Sequence, residues 1–254
     1  MKKNSPSVQE IVDQLLRQIY RKQLQPDEKL PPLRSHAEDL GVEPAALRSA
    51  LKQLETMNLL DIRRSDGTYV KPFPRHAGLD FLARLFAINE PPGDEGLVDE
   101  FLVDETLAFW NMVFPEIMYA ASRNMSPLDV KAFIDIIDRQ IRDVDIIATL
   151  VALDIELQDR IAERANNIVV TLLFNSLTPL RHRLTDYFYR KLDRGTRLHF
   201  LSMKKKGLCR QMSGNLDLKW SAEEHRKALE SYREAIRQAT MHHMMQQITG
   251  EEKS

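Results

Sequence analysis

The sequence has little cysteine and no long apolar run. Cys209 is the single cysteine among 254 residues, so the chain cannot form an internal disulfide, and no CxxC or Cys/His cluster provides a thiolate metal site. No apolar run approaches the roughly eighteen residues that a membrane span needs, and the charged first residues lack the apolar centre of an export signal. We therefore expect a cytoplasmic protein that is neither exported nor embedded in a membrane.

Glycine is also scarce, with nine residues against ten methionines, and alternating apolar and polar residues are rare. Both features favour helices over sheets. The apolar share of 43% and the charged share of 29% are typical of a globular protein, and the length fits two domains of about 150 residues each. Residues 1–75 carry 13 Lys/Arg against 10 Asp/Glu, whereas the remainder carries 23 against 27. We expect a mostly α protein with a mildly basic first domain.

Three helical patterns occupy the first part of the chain. Apolar residues recur at helical spacing over 8–20, and Ser7 with Glu10 provides a capping box before them. A second helix is predicted over 32–40, where a glycine follows as the cap. The third, over 44–58, begins with a proline in its first turn.

A hairpin pattern follows these helices. Residues 59–63 and 68–70 form two strand-like segments around the polar turn 65–67. Three helices followed by a hairpin are the elements of a winged helix-turn-helix. The prolines within 71–75 are expected to stop regular structure there, and we place the domain boundary at this point.

The rest of the chain is predicted to be helical. We assign 1–73 to a DNA-binding domain and 77–249 to an all-helical domain of six or seven helices, which is large enough to enclose a pocket. The helical patterns cover 78–89, 96–123, 127–148, 149–164, 167–191 and, after a loop rich in lysine and glycine over 203–218, a last segment over 221–247.

The first domain contains a set of short motifs in a fixed order: the Leu30-Pro31 pair, Arg34, the Gly41-Val42 pair before the third helix, and the wing sequence Gly67-Thr68-Tyr69-Val70. In these motifs it resembles the DNA-binding domain of the GntR family of bacterial transcription regulators. It implies that this domain binds operator DNA.

The resemblance also assigns DNA contacts residue by residue. Arginine suits such contacts because its planar donor fork grips a phosphate or a guanine edge. Outside this pattern each arginine would be interpreted as an ordinary solvated side chain. The expected contacts are Arg34 on the second helix, Arg48 on the recognition helix, Glu43, Pro44, Ala45 and Ala46 at the start of that helix, and Arg63, Arg64 and Gly67 at the wing.

Residues 43–46 depart from the family, in which most members carry Ser/Thr-Arg-Thr-Thr at these positions. The hydroxyl and guanidinium donors are therefore missing, and the carboxylate of Glu43 is repelled by phosphates. We expect an atypical operator and modest affinity. The alternative is an interaction protein whose winged helix has lost specific DNA binding, although Arg34 and Arg48 argue against it.

The second domain resembles the FadR-like branch of the family through the segment 154–158. Many members of that branch hold a divalent metal with an Asp-x-x-x-His pair and two later histidines. Asp154 and His225 match two of these ligands, but Gln158 and Gln247 occupy the other two positions. We expect no bound metal, and a metal site stays as an alternative.

Branch members without the metal histidines include those that respond to long-chain acyl-CoA. The candidate effector residues are Asp154, Gln158, Arg181 and His225, and the expected effector is an acyl-CoA or a carboxylate. Arg181 could form a basic entrance with Arg183 or with 204–206. Eight apolar residues could line an acyl pocket or simply form the core: Phe109, Trp110, Phe114, Met118, Phe174, Leu177, Tyr187 and Phe188.

The predicted function is a ligand-responsive transcription regulator of a metabolic operon, with fatty-acid or organic-acid metabolism as the expected target. We expect a homodimer, because pairing two winged helices raises affinity for paired half-sites. An enzyme is the rival class. Its only support is scattered carboxylates such as Asp154 and Glu156, and the sequence shows no nucleophile-base pair, phosphate loop or complete metal set.

Overall fold

The computed structural model describes residues 5–88 and 100–212, together with residues 226, 227, 230 and 234. The chain divides into two compact units, Met1–Leu97 and Val98–Ser254. No helix among the described residues is long and apolar enough to cross a membrane.

The first unit begins with three helices and a hairpin in the order that the sequence predicts. The strands pair antiparallel, with Leu60 opposite Val70 and Arg63 opposite Gly67. The prediction of a winged helix-turn-helix is confirmed, while the predicted domain limits stay a prediction. The described elements are α1 (Val8–Tyr20), α2 (Leu33–Leu40), α3 (Pro44–Thr56), β1 (Leu60–Arg63), β2 (Gly67–Val70), α4 (Phe73–His76) and α5 (Leu79–Ala87).

Helix α1 begins at the predicted capping box. The Ser7 hydroxyl accepts a hydrogen bond from the Glu10 amide at 3.2 Å, and the Glu10 carboxylate accepts one from the Ser7 amide at 2.7 Å. Two amides that the helix leaves without an internal partner are thereby satisfied. The apolar stripe of α1 is buried, and each such aliphatic side chain stabilises the fold by about 1.5–3 kcal/mol. Its members are Ile11, Val12, Leu15, Leu16 and Ile19.

An extended segment that the sequence analysis did not predict runs along the hairpin. The Leu30 amide donates to the Thr68 carbonyl at 2.8 Å, and the Val70 amide donates to the Glu28 carbonyl at 2.9 Å. Lys29 lies opposite Tyr69 in an antiparallel bridge. The segment before α2 therefore pairs with the free edge of β2 and connects the wing to the helices.

Helix α4 corrects the expectation that 71–75 lacks regular structure. Proline is tolerated at the cap and in the first turn of a helix, because the amide that it lacks has no partner there. Pro72 and Pro74 occupy such positions. The Phe73 ring packs 5.8 Å from the Tyr20 ring and 5.3 Å from the Phe81 ring. The short helix α4 therefore contacts both the end of α1 and α5.

The described part of the second unit contains six helices and no strand, so the predicted all-α architecture is confirmed. A buried apolar cluster that includes Phe114, Phe133, Ile137, Leu150 and Phe174 forms its core. The helices are α6 (Glu100–Ser122), α7 (Pro127–Arg142), α8 (Ile147–Arg164), α9 (Ile168–Ser176), α10 (Thr178–Lys191) and α11 (Arg194–Met212).

Two predicted helices end differently in the structure. Helix α7 stops at Arg142 instead of residue 148, and the next residues make a turn in which the Ile146 amide donates to the Asp143 carbonyl at 2.8 Å. The helix predicted over 167–191 is divided at Leu177, because Pro179 lies in the first turn of a new helix, where its missing amide does no harm.

The loop predicted over 203–218 is wrong for residues 203–212, which belong to α11. Lysine has good helix propensity, and two of the lysines have acidic partners on neighbouring helices. Lys204 pairs with Asp154, and Lys205 pairs with Asp138, each at 2.6 Å. Most of the helix predicted over 221–247 lies outside the described residues.

Candidate DNA-binding and effector sites

The turn between α2 and α3 presents the start of the recognition helix to solvent. Gly41 caps α2 with φ 64°, a left-handed conformation that suits glycine, and the Val42 amide donates to the Ala37 carbonyl at 2.9 Å. At the start of α3, Glu43, Pro44 and Ala45 are exposed and Ala46 is half-buried. This surface offers one carboxylate, a proline ring and methyl groups, with no side-chain donor.

Arg34 on α2 and Arg48 on α3 are both exposed. On α3, Leu47 and Leu51 are buried, whereas Arg48 at the edge of this buried face is exposed. In the described part of the chain, neither guanidinium has a hydrogen-bond, ion-pair or ring partner. Two free donor forks on the helix-turn-helix suit binding to an external anion such as a phosphate.

The wing places its two arginines in different environments. The Arg63 Nε atom donates to the Asp61 Oδ2 atom at 2.8 Å, and its guanidinium carbon lies 4.3 Å from the centroid of the Tyr69 ring. The hydrogen bond to Asp61 raises the pKa of Arg63 further above its ordinary value. Arg64 is exposed and has no side-chain partner within the described ranges.

Gly67 provides room for a neighbouring side chain. A methyl group built at this position would lie 2.5 Å from the Cε atom of Lys29. Gly67 therefore allows the Lys29 side chain to cross the hairpin, a structural reason for glycine that the sequence analysis did not identify.

The comparisons with known proteins agree with this geometry. Residues 7–70 match the family model described as bacterial regulatory proteins, gntR family. The chain therefore contains, within residues 7–70, a DNA-binding domain similar to that of GntR-family transcription regulators. It is similar to the HTH-type transcriptional regulator Mce2R of Mycobacterium tuberculosis, with 29% identity over 171 residues that cover 66% of this chain and 67% of that protein. The match is longer than either unit, so it includes part of both.

Two further relatives are more distant or match a shorter region. The HTH-type transcriptional repressor NagR of Bacillus subtilis is 36% identical to this chain over 105 residues, which cover 40% of this chain and 43% of that protein. The solved structure of E. coli McbR/YncC aligns with 92% of this chain and 99% of its own, at 14% identity and a TM-score of 0.49.

In the second unit, Asp154 lies at the centre of a group of polar side chains from four helices. Its Oδ1 atom accepts hydrogen bonds from Lys204 Nζ at 2.6 Å and from Tyr189 Oη at 3.3 Å. Its Oδ2 atom accepts from Gln158 Nε2 at 3.3 Å, and Gln140 Nε2 lies 3.5 Å from Oδ1. We call these five residues, Gln140, Asp154, Gln158, Tyr189 and Lys204, the Asp154 cluster.

The electrostatics of the Asp154 cluster favour an ionised aspartate and a neutral tyrosine. Burial alone would raise the pKa of Asp154, but the Lys204 charge and the hydrogen bonds from Lys204 and the two glutamines outweigh it and lower the pKa. Burial and the neighbouring carboxylate raise the pKa of Tyr189 well above its ordinary value. Tyr189 therefore stays protonated and acts as a donor.

Arg181 extends the Asp154 cluster on α10. Only 3% of the residue is exposed. Its Nη2 atom donates to Asp159 Oδ1 at 2.7 Å, its Nη1 atom donates to Gln158 Oε1 at 3.4 Å, and its guanidinium lies 4.8 Å from the centroid of the Phe174 ring. The buried Arg181 Nε atom has no hydrogen-bond partner among the described residues, and the same holds for the Oε1 atom of Gln140.

The structure brings together three of the four predicted effector residues. Hydrogen bonds join Asp154 to Gln158 and Gln158 to Arg181, whereas His225 lies outside the described residues. Sequence patterns do not indicate a role for Gln140 or Tyr189, and they predict a loop at Lys204. The contact with Asp154 distinguishes Lys204 from the adjacent lysines.

The described surroundings of Asp154 do not fit a divalent metal. They supply a single carboxylate and no imidazole, and an ammonium group already binds the carboxylate. Within the described residues, no group of three or more His, Cys, Asp or Glu side chains is placed to hold a metal ion.

Several of the residues predicted to line an acyl pocket belong to the core. Phe114, Phe174 and Leu177 are buried, and the Trp110 ring lies 5.4 Å from the Phe114 ring and 5.3 Å from the Phe174 ring. Phe109 is 38% exposed. The aromatic packing supports the core interpretation for these members, and an acyl pocket stays a prediction.

Proposed function

We propose that this chain is a ligand-responsive GntR-family regulator, and that its second unit binds an anionic effector at Arg181 and the Asp154 cluster. The observation that carries the proposal is the continuous series of hydrogen bonds from Asp154 through Gln158 to Arg181, inside a helical unit with a large buried apolar cluster.

A contribution to protein stability does not by itself explain this series of buried hydrogen bonds. Burying ionised groups costs free energy that the ion pair seldom recovers in full, and an apolar core of the same shape is often as stable. A buried polar atom without a partner costs about 1–3 kcal/mol. A ligand that accepts from Arg181 Nε and donates to Gln140 Oε1 would remove this cost. Buried charges of this kind are frequent at functional sites.

The chemistry of Arg181 favours a carboxylate or phosphate group on the effector. A guanidinium binds planar or tetrahedral oxyanions through two parallel donors. A carboxylate and an acyl-CoA both carry such groups, which fits regulation of an operon for organic-acid or fatty-acid metabolism.

In the first unit, the proposed DNA contacts are Arg34, Arg48 and the start of α3. The two arginines supply free donors, whereas the surface of 43–46 supplies no side-chain donor. We therefore expect DNA binding to depend more on contacts with phosphates than on contacts with base edges, and we propose an atypical operator. The exposed Glu43 carboxylate favours the second candidate function, an interaction module without specific DNA binding.

We further propose a cytoplasmic homodimer in which the effector changes the spacing of the two winged helices. One short winged helix reads only one half-site, so pairing would supply the missing affinity and specificity. No catalytic role is proposed, because its relatives are named as transcription regulators.

The test measures DNA binding and ligand response together. A fluorescent duplex from the regulator's own upstream region is titrated with protein, alone and with palmitoyl-CoA or citrate. We expect one of these ligands to change the Kd at least about tenfold, which corresponds to a coupling of about 1.4 kcal/mol. Native mass spectrometry of protein purified from its host is expected to show a bound anion.

Arg181→Lys, which keeps the charge and removes the donor fork, should abolish the ligand response and leave the Kd without ligand unchanged. Arg160→Gln is the matched control, because Arg160 forms an exposed pair with Glu156 on the same unit. A regulator that carries no bound anion and whose Kd is unaffected by both ligands contradicts the proposal.

A further inference from the structure

Two adjacent arginines at the wing tip differ in the partners that the protein provides. Arg63 contacts Asp61 at 2.8 Å and Asp66 at 3.9 Å, and it stacks on Tyr69. Arg64 is exposed, and the described residues offer its side chain no partner. The sequence gives the two arginines the same predicted role, whereas their surroundings in the structure differ.

The partners of Arg63 belong to a larger group that joins the wing to the segment before α2. Lys29 Nζ donates to Asp66 Oδ1 at 3.2 Å, and Tyr69 Oη donates to the same oxygen at 3.1 Å. The Lys29 ammonium also lies 5.5 Å from the centroid of the Tyr69 ring. We call Lys29, Asp61, Arg63, Asp66 and Tyr69 the wing cluster.

The wing cluster is electrically balanced. Lys29 and Arg63 carry two positive charges, and Asp61 and Asp66 carry two negative charges, because the hydrogen bond from Lys29 lowers the pKa of Asp66. If Arg63 moved to a DNA phosphate, the Asp61 carboxylate would be left unpaired close to the DNA backbone, where it is repelled. Arg64 can contact a phosphate without breaking an ion pair.

We infer that Arg64 is the DNA contact of the wing, and that Arg63 is a positioning residue which, with Lys29, Asp66 and Tyr69, holds the wing in place for it. The inference rests on DNA binding by the winged helix and divides the roles that were proposed equally for the two arginines. Gly67 contributes to the same arrangement, because a larger residue there would displace the Lys29 side chain.

Salt dependence separates a phosphate contact from a positioning residue. Each phosphate that a cationic side chain neutralises contributes about −0.9 to the slope of log Kobs against log salt concentration on duplex DNA, whatever its sequence. The probe is a 24-base-pair duplex of mixed sequence, which removes the need to know the operator. Fluorescence anisotropy gives Kobs between 50 and 200 mM salt for the full-length protein.

Arg64→Gln is expected to make the slope less steep by about 0.9. The double variant Asp61→Asn with Arg63→Gln keeps the net charge, and it should retain the slope while binding severalfold more weakly at every salt concentration. Arg63→Lys, which retains a cation beside Asp61, should recover most of that affinity. Arg160→Gln is the charge-matched control and should bind as the wild type.

Loss of about 0.9 from the slope in the double variant, with no loss in Arg64→Gln, overturns the inference. Wild-type affinity in the double variant overturns the positioning role of Arg63. These two outcomes contradict this inference alone, whereas a wild-type protein that does not bind the duplex at 50 mM salt contradicts the proposed function as well. Unchanged thermal unfolding temperatures verify that each variant is folded.

Discussion

At the scale of single residues, the sequence predicts which side chains are exposed better than it predicts their partners. Arg34, Arg48 and Arg64 are exposed as the resemblance to the family implies. Lys29 and Asp66, however, are 37 positions apart, and no spacing rule predicts that they form an ion pair. Such a contact depends on the extended segment beside β2, which sequence periodicity does not reveal.

The buried side chain of His36 on α2 leads to a prediction about pH. The residue is 6% exposed, and its Nδ1 atom has no hydrogen-bond partner in the described structure. Burial lowers its pKa below the ordinary 6.5, against the smaller effect of the Asp39 charge. The folded protein therefore binds a proton less readily at His36 than the unfolded chain does.

The sign of the effect follows from this difference. Near pH 7.5 the imidazole is neutral in both states, whereas below about pH 6.5 the unfolded chain is protonated first, so the free energy of unfolding of the winged helix falls. His36→Gln should remove this part of the decline. Urea unfolding of both proteins at pH 7.5 and 5.5 measures it, and an equally steep decline in the variant argues against a role for His36.

At the scale of helices and strands, local signals predict where a helix begins better than where it ends. The capping boxes at Ser7 and Ser126 both mark helix starts. No local signal marks the end of α7 at Arg142, and the helical residues 203–212 are stabilised by tertiary contacts, such as the pairs that Lys204 and Lys205 form with other helices. Propensity and turn chemistry contain no information on those contacts.

The start of α7 provides a test at this scale. Asp129 caps the helix with Ser126 and also accepts from Arg164 Nη2 of α8 at 2.7 Å. The hydrogen bond from Arg164, followed by those from Ser126, lowers the pKa of Asp129 from 3.8 to about 2. The stabilisation that Asp129 provides is therefore complete above pH 3.8 and is lost as the pH falls towards 2.

Asp129→Asn should lower the Tm of the second unit at pH 7 and reduce the loss of Tm between pH 4 and 2. Asp186→Asn is the control, because it removes only an exposed ion pair between Asp186 and Arg190 within one helix, which contributes little. Differential scanning calorimetry compares the variants, and a Tm at pH 7 that is no lower for Asp129→Asn than for Asp186→Asn contradicts the prediction.

At the scale of the whole molecule, the sequence predicts the two architectures and only part of the candidate effector site. The winged helix is recognisable because its motif is local and covers residues 7–70. The Asp154 cluster combines α7, α8, α10 and α11, and only Asp154 and Gln158 share a recognisable segment. Gln140 and Tyr189 are conspicuous only after folding, when they are buried beside a charge.

The most direct test of the account is the affinity of the regulator for a duplex from its own upstream region. Arg34→Ala and Arg48→Ala should each weaken binding by about tenfold or more, since a good arginine contact contributes about 1–3 kcal/mol. Each should also reduce the salt slope by about one if the contact is to a phosphate, while Arg160→Ala binds as the wild type. Wild-type affinity in both variants, or no binding by the wild type at 50 mM salt, would contradict the account.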